Sequence, residues 1–364
     1  VLQESVLVEF CKAIDWQYMK ANILQNHDSG AGARMYAIGR KTVGLALEDA
    51  ENDILSEAAD LLYYYSTLHE VRQWSGTSFD VPNYLKARAE SDRYYQRGRA
   101  FQLYSVFIKK EPHPPRKLVE KRYRLIWNAN LANQIAERAL WQVVSAQQQE
   151  NFFNGPIMKG LGLDDGHMGR PCIQRVISHI SRRRAVATDM SGWDWSVKTW
   201  LAVLAVLAVA AAMSASDWWI TTALGQVFCV FIKYVLFSDG SIELLEHHVW
   251  PSGLYLTTFL NSVMRLLLSL FVMFLLLDEP LDDLTCMTNG DDCFEQQSSE
   301  PENVVAMYRA LGFDVRDVHP VKAGDTVVFC STQFEAKEFA VCKFRGSLTT
   351  CMRSIFRTFV LDSD

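Results

Sequence analysis

Two apolar runs constrain this chain more than anything else in it. "WLAVLAVLAVAAAM" (200–213) and "LLLSLFVMFLLL" (266–277) are 14 and 12 residues long. A membrane span takes about 18 or more apolar residues, so both runs fall short and read as helices buried in a large core. The composition can supply that core, since 49% of the 364 residues are hydrophobic and 21% charged. Such a balance excludes a disordered chain and predicts a soluble globular fold, with membrane contact at most peripheral. The length allows one large domain or two to three smaller ones. The opening "VLQESVLVEFCKAIDW" mixes acids through its apolar positions and is no secretory signal. Val1 in place of Met points to a processed product of a larger polyprotein, or a fragment.

A net charge of −6 argues against a protein that coats nucleic acid nonspecifically, but leaves room for a local basic channel. The eight cysteines are scattered without a CxxC pair and read as reduced thiols of a cytosolic protein. His247 and His248 lack cysteines at ligand spacing, so no zinc site is expected.

Helical spacing dominates residues 1–100, clearest in "EDAENDILSEAADLLYYYSTLHEVRQW". "FQLYSVFI" (101–108) reads as a strand that runs into a charged segment. There Pro112, Pro114 and Pro115 are expected to forbid a helix. "LANQIAERALWQVVSAQQQ" resumes a helix. "RAVAT" reads as a short strand ending at Asp189, with a helix beginning at Trp195 and capped by Asp194. Trp193 and Trp195 read as core. A further helix is expected over 254–277. "LTCMTNGDDCFEQQ" fits two strands joined by a tight Asn-Gly turn, with Asp291 and Asp292 at its tip. "PENVVAMYRALGF" is a helix, and "DVRDVHPV" and "DTVVFCSTQF" are strands.

A lone pair of aspartates in a turn is more often solvated than functional. Asp189 changes that reading. If its strand neighbours the hairpin, Asp189, Asp291 and Asp292 meet at one point. Three carboxylates so close repel one another unless divalent cations lie between them. Mg²⁺ favours carboxylate, water and phosphate oxygens, so the cluster describes a two-metal phosphoryl-transfer site.

Three motifs in order, "DMSGWDWSV", "PSGLYLTTFLN" and "NGDDC", resemble the palm motifs of RNA-dependent RNA polymerases of positive-strand RNA viruses. The family pattern is D-x4-D, then S-G-x3-T-x3-N, then G-D-D. It is met by Asp189/Asp194, by Ser252/Gly253/Thr257/Asn261 and by Gly290/Asp291/Asp292. "FIKKEPH…KRYRLI" is similar to the basic fingers motif of the same polymerases. "LGFDVRDVHPVK" and "FCSTQF" fall where the last palm motifs lie. The details "SGWDWSV", "KKEPH" and "FCS" look most like the sobemovirus and polerovirus-like group. The likeness covers roughly residues 101–345.

The resemblance implies an α+β right-hand polymerase with fingers, a palm built on an antiparallel sheet and a short or truncated thumb. Residues 1–183 would be mainly fingers, with the basic motif at 107–126. Residues 184–345 would be palm, interrupted by a helical insertion near 200–245, and 346–364 the start of a thumb. Asp189 and Asp291 would be the main metal ligands, with Asp292 more peripheral. Mg²⁺ is the expected cofactor, and Mn²⁺ a substitute. Asp194, Ser252 and Asn261 would sense the ribose, with Gly253 and Thr257 in the same nucleotide-binding element. Phe329, Cys330 and Ser331 would grip the primer, and Lys322, with His319 nearby, is the candidate proton donor to pyrophosphate. RNA template, nascent RNA and ribonucleoside triphosphates would be the partners. Other viral replication proteins would join them in a replication complex in the host cytoplasm.

The basic segment from Lys109 to Arg124 carries seven Lys/Arg against Glu111 and Glu120. A solvated loop is the plain reading. Placed on the triphosphate path, Arg124, Arg122 and Lys109 become candidate phosphate ligands, because guanidinium forks suit triphosphate oxygens. Arg182–Arg184 could hold template phosphates or form a surface patch. A reverse transcriptase would share the aspartates but must reject the 2′-hydroxyl, which Asp194 and Asn261 argue against. A metal-dependent nuclease would not need the Ser-Gly…Asn element. A non-enzymatic membrane-associated replication scaffold would rest on the two oily helices.

Overall fold

Thr42, in extended conformation, accepts the Leu45 N–H on its side chain and so starts the first long element, a helix over Val43–Thr67. It belongs to a computed structural model that describes residues 15–25, 27–68, 97, 101–109, 115–121, 123–150, 155–158, 185–237, 239–245, 249–278, 286–296, 300–321, 325–329, 332–335 and 345–346. The chain divides into two compact units. One comprises Val1–Phe107, Leu125–Val144 and Lys198–Thr257; the other Ile108–Arg124, Ser145–Val197 and Thr258–Asp364.

In the first unit the Val43–Thr67 helix buries Ile54, Ala58, Leu61, Leu62 and Tyr65 and packs on a helix over Asp217–Phe231. Gly225 makes the close approach possible, since a Cβ there would lie 1.9 Å from the Tyr65 carbonyl oxygen. Trp141 and Trp219 meet edge to face at 4.9 Å, and their indole N–H groups donate to Gln226 and to the Leu140 carbonyl. A four-stranded sheet in the order β2-β1-β4-β5 accompanies these helices. Its strands are β1 (Leu103–Ile108), β2 (Leu125–Ala129), β4 (Lys233–Leu236) and β5 (Ile242–Leu245). β1 and β4 run parallel, which the intervening helical crossover permits.

The first oily run forms a helix over Thr199–Ala212 that buries Leu201, Ala202, Ala205, Val206 and Val209. The expectation of a helix buried in the core holds for one face only: Trp200, Leu204 and Leu207, at spacings of four and three, are exposed.

The second unit is built on an antiparallel sheet in the order β6-β7-β3-β8. The strands are β3 (Ala185–Met190), β6 (Cys286–Asn289), β7 (Asp292–Gln296) and β8 (Val315–Val321). Against it lie helices over Thr257–Leu270 and Pro301–Ala310. The first of these continues into a π-helical turn over Phe271–Leu276. The joined stretch of 20 residues is long and apolar enough to cross a membrane by length and composition. That exceeds the 12-residue run visible in the sequence. Most of it is buried within the protein, and Phe274, Leu275 and Leu276 at its end are exposed. A smaller sheet, β11-β10-β9, uses β9 (Thr326–Phe329), β10 (Thr332–Glu335) and β11 (Arg345–Gly346).

Three local expectations need correction. Pro115 opens a short helix over Pro115–Val119 instead of forbidding one, because proline suits the first helical position. Trp193 is buried and stacks on Phe313 at 5.7 Å, but Trp195 is 62% exposed. The cap before that tryptophan pair is Gly192, in the left-handed region at φ 61°. Asp194 is therefore the second residue of a helix over Trp193–Ser196 and not its N-cap.

Candidate active site

The β3–β7 register brings the acidic residues together. Thr188 pairs with Cys293, so one step further along each strand come Asp189 and Asp292. Asn289 pairs with Asp292 across the hairpin, which leaves Gly290 and Asp291 as the two turn residues. The turn is thus centred on Gly-Asp, one position later than the Asn-Gly turn expected. Gly290 at φ 67° supplies the positive φ that a two-residue hairpin needs at its first turn position.

Packing fixes this turn from two sides. Ser262 Oγ accepts the Gly290 N–H at 2.8 Å, and Thr288 Oγ1 donates to the Ser262 carbonyl at 2.9 Å. Thr288 also exchanges backbone hydrogen bonds with Pro156 and Met158. The residue after Asn261 therefore holds the strand and turn that carry Asp291.

Behind the acidic end lies a wholly buried polar network. The Arg265 guanidinium donates to Glu295, Thr188 and Ser269, and to Tyr308 Oη at 3.1 Å. Tyr308 Oη donates to the other Glu295 oxygen at 2.8 Å. Burial alone would push the Glu295 carboxyl up, but Arg265, Thr188 and Tyr308 outweigh it and hold the group below its ordinary value. Thr188 precedes Asp189, and Glu295 lies three residues after Asp292, so this network spaces the two acidic strands.

Electrostatics differ between Asp291 and Asp189. Asp291 is half-buried, and burial pushes its carboxyl above the usual value against its own backbone hydrogen bond and the charges of Arg124 and Arg265. Asp189 is paired with Arg316. Among the described residues, no three His, Cys, Asp or Glu side chains are gathered closely enough to hold a metal ion. The donor chemistry nevertheless fits Mg²⁺: all candidates are carboxylates, and a guanidinium already stands as a cation on Asp189.

The nucleotide candidates divide between the units. In the second unit, Asn261 is buried and its Oδ1 has no hydrogen-bond partner among the described residues, a cost that a ligand hydroxyl would offset. Asp194, in the same unit, is half-buried. Lys109 and Arg124 lie side by side, with the Lys109 N–H donating to the Arg124 carbonyl at 2.8 Å. In the first unit, Ser252 Oγ donates to the Leu125 carbonyl at 3.0 Å, and its own carbonyl accepts the Trp127 N–H. Gly253 sits at φ 112°, where a Cβ would come within 2.6 Å of the Trp127 carbonyl oxygen. Thr257 Oγ1 accepts the Leu254 N–H and donates to the Pro251 carbonyl, closing the loop on itself.

Phe329 is buried against Phe294 at 4.9 Å. Arg122, Arg182–Arg184, Lys322, Cys330 and Ser331 lie outside the described residues, and the side chain of His319 is likewise not described.

Sequence reasoning passed over Arg265, Ser262, Glu295, Arg316 and Glu137. Arg265 did leave a signal, as the one charge in the apolar stretch 256–277. Glu137 left none; its role is visible only where it accepts the Tyr255 N–H at 3.0 Å beneath the Ser252–Gly253 loop.

The family model for viral RNA-dependent RNA polymerases matches residues 70–349, well over half of the chain. A replicase polyprotein P2AB of Southern cowpea mosaic virus is 29% identical over 235 residues, covering 62% of this chain and 23% of the polyprotein. Protein P1-P2 of Potato leafroll virus is 28% identical over 250 residues, covering 65% of this chain and 22% of that protein. The matched parts thus span less than a quarter of these relatives. Among solved structures, a Sicinivirus 3Dpol RNA-dependent RNA polymerase superposes with a TM-score of 0.52 at 19% identity, over 65% of this chain and 50% of the other. That likeness shows the α+β right-hand polymerase fold, and the family match establishes that the chain belongs to the viral RNA-dependent RNA polymerases.

Proposed function

We propose that the chain catalyses template-directed RNA synthesis, in which an RNA 3′-hydroxyl attacks the α-phosphate of a ribonucleoside triphosphate and pyrophosphate departs. The observation that carries this reading is the register that sets Asp189 beside Asp292, with Asp291 in the adjoining turn. Bound at these carboxylates, two Mg²⁺ ions would activate the hydroxyl and neutralise charge on the transferring phosphate. Asp189 and Asp291 are the main ligands, with Asp292 supporting them.

The rest of the chemistry is positioning. Arg124 and Lys109, joined backbone to backbone, orient the triphosphate, with Arg122 beside them in sequence. Asn261, whose Oδ1 lacks a partner among the described residues, bonds the ribose together with Asp194. Ser252 and Gly253 serve nucleotide binding from a loop that Thr257 staples. Lys322 is the proton donor to pyrophosphate, and Phe329, Cys330 and Ser331 hold the primer.

In this reading residues 1–183 are mainly fingers, 184–345 palm with the 200–245 insertion, and 346–364 the start of a thumb. The sheet β6-β7-β3-β8 is the palm sheet. The partners are template RNA, nascent RNA and ribonucleotides, within a viral replication complex in the host cytoplasm. The test is incorporation of labelled ribonucleotides on primed RNA templates of defined sequence. Product that changes in step with the template supports the reading; product independent of the template rejects it.

A further inference from the structure

Arg316 occupies a position that regular antiparallel pairing would not give it. β3 and β8 pair Thr188 with Val318 and Asp189 with Asp317, and then Met190 with Val315. Arg316 is the residue left over, the extra member of a β-bulge located at Asp189. A bulge twists its strand locally and re-aims a side chain. Here the guanidinium Nη2 donates to Asp189 Oδ2. The pair is open to solvent, with the arginine side chain 57% and the aspartate 29% exposed. Core stability does not demand it, unlike the enclosed Arg265–Glu295 pair.

The strand register sets Asp189 beside Asp292, with Asp291 next to it in the turn, and like charges drawn together there repel. A cation on Asp189 relieves that repulsion. We propose that Arg316 is the resident cation of the acidic cluster: it holds Asp189 in the metal-free protein and competes with the divalent ion for the same carboxylate. This rests on the polymerase reading of the three aspartates. Arg316 therefore sets the metal affinity of the site, keeping it low enough that the cluster does not load without substrate. The guanidinium is a displaceable competitor because exposed ion pairs are weak.

The probe is Mn²⁺ alone, without RNA or nucleotide, added to the full chain and followed by the electron paramagnetic resonance of the free ion. Wild type, R316Q, R316K, D189N and the double variant D189N/R316Q are compared. R316Q is expected to bind Mn²⁺ about three- to tenfold more tightly than wild type, the gain from removing a weak competitor and its charge. R316K, which keeps the charge without the fork, should fall between them. The gain should vanish in D189N/R316Q. Thermal unfolding gives a second readout: R316Q should melt lower than wild type without metal, and show a larger upward shift on adding Mn²⁺. Equal or weaker Mn²⁺ binding by R316Q, with D189N still losing binding, overturns the role of Arg316 and leaves the carboxylate site standing. Mn²⁺ binding by D189N as tight as wild type overturns both.

Discussion

Ser262 Oγ accepts the Gly290 N–H at 2.8 Å, so the helix carrying Asn261 grips the turn carrying Asp291. Ser262 is fully buried, and truncating it to alanine leaves the Gly290 donor without its partner. The expected cost is about 1–3 kcal/mol. Because the loss falls on the turn, Ser262→Ala should lower kcat by about tenfold with a smaller change in the nucleotide KM. Steady-state extension kinetics check this; a raised KM with unchanged kcat would show that the bond does not position the aspartate.

Arg265 and Glu295 form the enclosed pair of the second unit. Arg265→Met removes one partner and strands a buried carboxylate, a loss of about 3–5 kcal/mol. Replacing Glu295 by Gln in the same chain should recover part of it. The Glu295 carboxyl is held below its ordinary value, so its stabilisation is present above the unfolded pKa and is lost as pH falls through the folded one. Denaturant midpoints of the single and double variants near neutral pH measure the effect. Equal midpoints for wild type and Arg265→Met would contradict it.

Much of this site was legible in the sequence because carboxylates at strand ends and an Asn-Gly-Asp-Asp turn leave local signatures. Period-2 apolar residues before Asp189, and the turn residues before Asp292, mark two strands that can neighbour one another. What the sequence hid was register-dependent. That Arg316 reaches Asp189 depends on a bulge one residue long, and a bulge has no compositional mark. Asp194 looked like a cap because Asp commonly caps helices, yet Gly192, free to adopt positive φ, starts the helix two residues earlier. The helix expected over 254–277 is present across Thr257–Leu276, and Arg265, which breaks only the apolar composition, is paired by Glu295 within it.

Glu137 in the first unit carries a pH dependence of its own. Burial raises its carboxyl to about 8, against the Tyr255 N–H, Arg138 and Gln226; the buried hydroxyls of Tyr65 and Tyr104 also face it. The folded protein then binds a proton that the unfolded chain releases near the ordinary carboxyl value of 4.5. Stability should therefore fall as pH rises from about 4.5 toward 8. Lys233, lowered by burial to about 7, works in the opposite direction above that pH. The clean window is thus about pH 5 to 7. Glu137→Gln keeps an oxygen for the Tyr255 N–H and removes the titration. Its melting temperature should be flatter across that window than the wild type's, and parallel slopes would refute the assignment.

Sugar selection is tested by a ratio. Asp194 sits in the first turn of a short helix, where Asn costs only the favourable charge–dipole interaction, about 0.3–1 kcal/mol. If its carboxylate bonds the ribose with Asn261, then Asp194→Asn and Asn261→Ala should lose ribonucleotide efficiency and gain relative deoxyribonucleotide use. A site built to bond a hydroxyl discriminates strongly against its absence, so the kcat/KM ratio should fall by at least about tenfold. Both rates falling together at a fixed ratio would make these residues structural.

The most direct measurement is single-nucleotide extension of a primed RNA template by wild type, Asp189→Ala and Asp291→Ala, with RNA affinity measured in parallel. In the proposed mechanism the carboxylates act on the chemical step and not on the duplex. Both variants should therefore extend at less than about a tenth of the wild-type rate while binding RNA nearly as well. A variant that keeps more than about a tenth of the rate with RNA affinity intact would contradict the assignment of these aspartates to catalysis.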